Sequence, residues 1–174
     1  MKKIVVSDTN IFIDLVKLGL LDDFFMLPWE IHTTDFVISE LTDSTQKAAL
    51  NVFIKQKKLS VGTLSSEDVT EMLELSNQSP RNISITDISV CIYARNNGYM
   101  LLTGDKQLRK VAIAENIIVH GILFLFDELV SHSILTPGPA AETLIELKKI
   151  NTRLPIEDVN ERINMWLTKS KEKQ

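Results

Sequence analysis

The hydrophobic positions of this chain fall into short unbroken runs separated by stretches with helical spacing. Ile4, Val5 and Val6 form the first run. Their β-branched side chains and lack of alternation predict a strand covered on both faces, as in a parallel sheet. The run stops at Ser7, Asp8, Thr9 and Asn10. Ile11, Phe12, Leu15 and Val16 then recur at helical spacing, which predicts a helix over residues 10–18 closed by Gly19. A short apolar helix is expected over residues 20–27, with Asp22 and Asp23 at its start and Pro28 at its end. Residues 31–34 read as the second strand, and Asp35 as the cap of a helix carrying Phe36, Val37, Glu40 and Leu41.

Residues 46–58 are amphipathic, with Ala49, Val52 and Phe53 facing inward and lysines outward. A weak strand follows over residues 59–64. Ser65 to Asp68 resembles a capping box and opens a helix bearing Val69, Met72, Leu73 and Leu75. Residues 77–82, with Pro80, read as a turn. Thr86 and Asp87 begin a helix whose inward residues are Ile88, Cys91, Ile92 and Ala94, and Gly98 follows its end. Residues 99–103 form a second run suited to a central strand, which stops at Gly104 and Asp105. A helix over residues 107–115, a strand over 117–119 and an apolar helix over 123–130 complete the pattern. Strands alternating with helices predict an α/β protein, a parallel sheet flanked by helices. Beyond Pro137, Gly138 and Pro139 the pattern becomes helical, over residues 140–150 and 156–168, with a frayed charged tail at 169–174. The chain therefore divides into a sheet domain over residues 1–135 and a C-terminal helical hairpin over 136–174 packed on it.

Composition narrows the function classes. The longest apolar run, residues 122–126, is too short to span a bilayer. No signal peptide is expected, because Ile4 is already core-like. The single cysteine, Cys91, rules out an internal disulfide, fits a reducing cytoplasm, and sits in a helical apolar pattern that makes it a core residue rather than a nucleophile. A net charge of −4 is wrong for a protein that holds nucleic acid by bulk charge. Such binding would need local basic patches and a metal ion.

Four carboxylates stand out by position: Asp8 after the first strand, Asp105 after the strand at 99–103, Asp87 in the first turn of the helix leading into that strand, and Glu40 on the helix after the second strand. Parallel strands deliver Asp8 and Asp105 to one edge of the sheet. The helix running back from that edge starts there, which brings Asp87 to it, and Glu40 leans over the same crevice. Each has an ordinary explanation. Asp8 and Asp105 suit helix N-caps, Asp87 suits the positive end of its helix, and Glu40 suits a solvated face. Together, converging carboxylates repel unless a cation offsets them, and hard oxygen ligands favour Mg²⁺ or Mn²⁺.

The order Asp8-Thr9-Asn10, Glu40, Thr86-Asp87 with Ala94, and Thr103-Gly104-Asp105 with Leu108 resembles the PIN-domain family of metal-dependent nucleases over roughly residues 3–130. Asn151 to Pro155 and the helices around them resemble extensions on some bacterial PIN proteins. The resemblance implies a Rossmann-like sheet, Mg²⁺ or Mn²⁺ as cofactor, and hydrolysis of RNA phosphodiesters. It implies Asp8, Glu40, Asp87 and Asp105 as the catalytic quartet, with Asp8, Asp87 and Asp105 holding metal and Thr9, Asn10 and Thr103 as supporting polar groups. Many such bacterial proteins are the toxins of VapBC-type toxin–antitoxin pairs, which implies a small antitoxin partner. Where many relatives carry a further acidic residue just past the Asp105 position, this chain has Lys106 and Gln107.

Lys106 and Arg109, followed by Lys110, are candidates to grip substrate phosphates beside the metal; an ordinary solvated helix face is the competing reading. His32, His120 and His132 lie away from these motifs and read as structural or exposed. A haloacid-dehalogenase-like phosphotransferase would need Asp-x-Asp after the first strand, and the chain has Asp8-Thr9-Asn10. A PIN-like module that has lost catalysis and acts through protein contacts is the alternative from another class. Trp29 and Trp166 are candidates for a homodimer or partner surface, against packing in the core.

Overall fold

The structure is a computed structural model that describes residues 3–79 and 82–171. β1 (Lys3–Ser7), β2 (Trp29–Thr34), β3 (Leu59–Gly62), β4 (Met100–Leu102) and β5 (Val119–His120) form a five-stranded sheet in the order β3-β2-β1-β4-β5. Every pairing is parallel, and Val5 stands between Ile31 of β2 and Met100 of β4. Val5 and Val6 are fully buried, which is what their unbroken apolar run predicts for the middle of a sheet covered on both faces.

Two helical layers cover the sheet. α1 (Thr9–Leu18) packs on α2 (Leu21–Phe24), α4 (Ser44–Lys55) and α9 (Pro137–Ile150), and α8 (Ile122–Ser131) packs on α2 and α9. On the other side α6 (Ile85–Asn97) packs against β1, β2 and β4 and between α5 (Ser66–Gln78) and α7 (Lys106–Ala114). α3 (Asp35–Glu40) touches both α1 and α6, and α10 (Ile156–Lys171) lies along α9. Phe24 makes edge contacts with Phe12 and Trp29, at ring separations of 6.3 and 6.2 Å, and Phe126 stacks on Trp166 at 6.4 Å. Trp29 and Trp166 are 6% and 2% exposed, so both are core residues and neither offers a partner surface.

The structure departs from the sequence pattern in places with identifiable causes. The last strand begins at Val119, not 117, because the Ile117 amide is used to close α7, donating to the Ala112 carbonyl at 2.9 Å. Val52 and Leu73, placed by spacing on apolar faces, are largely exposed; Leu50 and Met72 take the buried positions. Asp35 is the first residue of α3 rather than its cap, which is Thr34. α9 starts at Pro137, where proline's fixed φ and missing N–H suit a first helical turn. α10 runs on to Lys171, so residues 169–171 are helical rather than frayed. Pro80 of the expected turn, Arg81, Met1, Lys2 and residues 172–174 lie outside the described residues.

Gly98 closes α6 in the left-handed region at φ 68°, with its amide donating to the carbonyls of Ala94 and Arg95. Nothing lies within 4 Å of where a side chain would point, so only backbone strain opposes a larger residue. Gly98→Ala is expected to cost about 1 kcal/mol, lowering the melting temperature by roughly 2–4 °C. An unchanged melting curve would show that this cap tolerates a side chain.

Candidate active site

The site is built where β1 and β4 end side by side. The Asp8 amide donates to the Leu102 carbonyl at 3.1 Å, pinning the start of α1 to the end of the neighbouring strand. The chain leaves β1 toward β2 on one side and returns to β4 on the other, so this is the point of an open α/β sheet where ligands bind. Asp8 is the N-cap of α1, and its Oδ1 accepts from the Ile11 amide at 3.0 Å. Asp105 is the N-cap of α7, and its Oδ1 accepts from the amides of Gln107 and Leu108, each at 2.8 Å. Asp87 forms a capping box with Ser84 at the start of α6. Glu40 ends α3 and accepts the Thr9 hydroxyl proton on Oε2.

All three aspartates therefore serve as ordinary helix-start residues, and these roles are what bring them to one place. Thr9, Asn10, Glu40, Asp87, Asp105 and Arg153 line a cleft of about 350 Å³. Asp8 lies at the end of β1, 1% exposed, within electrostatic reach of Asp87 and Asp105. Its Oδ2 is buried with no hydrogen-bond partner. Burial pushes the Asp8 carboxyl up to about 7; the Thr103 hydroxyl and the Ile11 amide oppose that shift, and the charges of Asp87 and Asp105 add to it. Burial also raises Asp87, against its hydrogen bonds from Ser84, with further upward pressure from Asp105 and Glu40. The four carboxylates share one electrostatic neighbourhood.

Among the described residues no three carboxylate, histidine or cysteine groups stand close enough to enclose a metal ion by themselves. Mg²⁺ does not need such a cage; it takes one or two carboxylates and keeps several waters. A buried, unpartnered carboxylate oxygen within electrostatic reach of two further aspartates fits an ion of that kind.

Thr103 is fully buried; its Oγ1 accepts from the Asp105 amide at 2.9 Å and its hydroxyl also stabilises the Asp8 carboxylate. Asn10 Oδ1 accepts from Arg153 at 3.1 Å. Lys106 and Arg109 line an adjoining cleft of about 390 Å³, where Arg109 donates to the Val119 carbonyl at 3.2 Å. None of the histidines lines the acidic cleft. His32 bonds the Tyr93 hydroxyl, His120 stacks on Phe124, and His132 meets the Glu128 carbonyl. Cys91 is fully buried, and burial pushes its thiol up to about 12, so it is a core residue.

Sequence reasoning missed two groups. Thr33, Thr34 and Ser89 are fully buried near the carboxyl ends of the strands. Thr33 donates to the Ser7 carbonyl at 3.0 Å, and Thr34 and Ser89 bond each other at 2.9 Å. Two adjacent threonines ending a strand, and a serine amid the apolar face of α6, were visible signals. Arg153 lay in the stretch Asn151 to Pro155 that resembles extensions on PIN proteins, but nothing there placed it at the site: it arrives from a loop 143 residues away from Asn10.

Residues 4–167 match the family DUF3368, described as a PIN domain, and the chain belongs to this PIN-domain family. No curated protein sequence matches it. Among solved structures, PAE2754 from Pyrobaculum aerophilum is 18% identical, covers 75% of this chain and 99% of its own, and superposes with a TM-score of 0.51. VapBC2 from Rickettsia felis, solved bound to a DNA fragment from its promoter, is 16% identical over 68% of this chain and 98% of that one, with a TM-score of 0.49. FitAcB from Neisseria gonorrhoeae is 11% identical over 66% and 95%, with a TM-score of 0.44. The parallel sheet and its flanking helices are those of a PIN fold, and the chain ends in the helices α9 and α10. No described helix is long and apolar enough to cross a membrane.

Proposed function

We propose that this protein is a metal-dependent endoribonuclease that hydrolyses RNA phosphodiester bonds. The observation that carries the reading is the unpartnered, buried Oδ2 of Asp8, whose carboxyl feels Asp87 and Asp105, two of the three carboxylates that line one cleft with Glu40. Asp8, Asp87 and Asp105 would hold Mg²⁺ or Mn²⁺ together with water, one or two of them directly and the rest through bound water. When bound, such an ion lowers the pKa of its water and offsets charge on the phosphate. Glu40, fixed by the Thr9 hydroxyl, orients the attacking water or accepts its proton. Thr103 positions Asp105 by accepting from its amide, and its hydroxyl favours the charged form of Asp8. Lys106 and Arg109 receive the substrate backbone in the adjoining cleft. In this reading residues 1–135 carry the chemistry, residues 136–174 form an extension packed on them, and the protein works in the cytoplasm. A small antitoxin restrains it, as in VapBC-type pairs. A short upstream reading frame encoding a DNA-binding fold would support that partner.

The direct test incubates purified protein with single-stranded RNA in Mn²⁺ or in EDTA and follows melting under the same conditions. Cleavage in Mn²⁺ alone, with a Mn²⁺-dependent rise in melting temperature, is the expected result. No cleavage and no rise would return the chain to the inactive binding-module reading.

A further inference from the structure

We propose that Arg153, carried on the loop between α9 and α10, is a substrate-contacting residue of this site that binds a backbone phosphate next to the one being cut. The proposal rests on the nuclease reading and adds the C-terminal hairpin to its active site. Of the described residues, Arg153 alone lines both the acidic cleft and the adjoining cleft that holds Lys106 and Arg109. The adjoining cleft also carries Asp14 and Asp158, so Lys106, Arg109 and Arg153 are its cations open to a phosphate, and a strand passing from the acidic cleft to Lys106 and Arg109 meets Arg153 on the way.

The loop is tied down, and the Arg153 side chain is half exposed. Asn151 Nδ2 donates to Asp14 on α1 at 2.7 Å, while its Oδ1 accepts from the Arg153 amide at 3.0 Å. Leu154 is buried beside it. The Arg153 side chain is 53% exposed, makes one hydrogen bond, to Asn10 Oδ1, and stands 3.9 Å from Asp105 Oδ2. A charge-assisted hydrogen bond to a carboxylate is closer, about 2.7–2.9 Å. The guanidinium thus hovers over the acidic rim with most of its five N–H donors available, in the planar fork that matches phosphate oxygens. Arg162 in the adjoining cleft is already committed, in a two-pronged pair with Asp127. A guanidinium whose role was to neutralise the acidic cleft would close on its carboxylates directly.

The test uses Glu40→Gln as a cleavage-deficient background that leaves the contacts of Arg153 intact. Binding of a fluorescent single-stranded RNA is measured by anisotropy over a salt series, with Arg153 intact, Arg153→Ala and Arg153→Lys. Arg153→Ala should weaken binding about tenfold and reduce the salt slope by about one, and Arg153→Lys should restore the slope but only part of the affinity. The rise in melting temperature on adding Mn²⁺ should be unchanged. Unaltered RNA affinity in Arg153→Ala overturns the proposal. So does faster cleavage with a larger Mn²⁺ response when Glu40 is native, which would make Arg153 an internal cation that occupies the site. If the native protein neither cleaves RNA nor responds to Mn²⁺, yet Arg153→Ala still loses RNA affinity, the nuclease reading fails and the contact stands.

Discussion

In EDTA at pH 7.5, Asp8→Asn will melt at a higher temperature than the unaltered chain. The carboxyl of Asp8 ionises near 7 in the folded state against 3.8 for an ordinary aspartate, chiefly through burial. Below about pH 4 both states hold the proton and no penalty exists. As pH rises the unfolded chain releases the proton first, so stability falls through the window from about 4 to 7, and the full penalty stands above it. Asparagine keeps the oxygen that caps α1 and removes the charge, which stabilises the metal-free protein by about 1–3 kcal/mol, or roughly 2–12 °C. The advantage should vanish near pH 4. Excess Mn²⁺ should reverse the order by raising the unaltered protein and not the variant. If Asp8→Asn melts lower in EDTA at pH 7.5, its carboxylate is a net stabiliser of α1 and the argument for a cation there fails.

Asp105→Asn will lose at least about a hundredfold in RNA cleavage, the scale of removing a key charged group from an active site. The substitution retains the oxygen that accepts from Gln107 and Leu108, so α7 keeps its cap and the fold should survive. Circular dichroism on the same preparation checks that. Undiminished cleavage would identify a contaminating nuclease and remove the enzymatic assignment.

The parts of this molecule that sequence disclosed are those where local chemistry and tertiary role coincide. Val5 and Val6 lack alternation because helices cover both faces of the sheet, and that is visible in a few residues. Asp8, Asp87 and Asp105 could be placed because each begins a helix at one edge of the sheet. What each aspartate faces was not visible. The missing partner on Asp8 Oδ2 depends on how closely the surrounding chain packs, and no spacing rule reports that. Val52 and Leu73 failed because more residues satisfy helical periodicity than the core admits. Arg153 was out of reach for a different reason: nothing in Asn151 to Pro155 records that the loop lands beside Asn10.

The order of the strands also bears on when the site comes into being. Val5 pairs with Met100, far along the chain, on one side, and the Asp8 amide gains its partner carbonyl from Leu102. At about 5–20 residues per second, the ribosome takes several seconds to supply β4 after β1. Closing so long a loop is also slow, since its entropy is lost before the contacts form. A nascent chain stalled or truncated before β4 emerges holds Asp8 without Asp105, and one that stops before the last hairpin lacks Arg153 as well. Assembly of the acidic cleft is thus deferred until β4 and then the loop carrying Arg153 have been made.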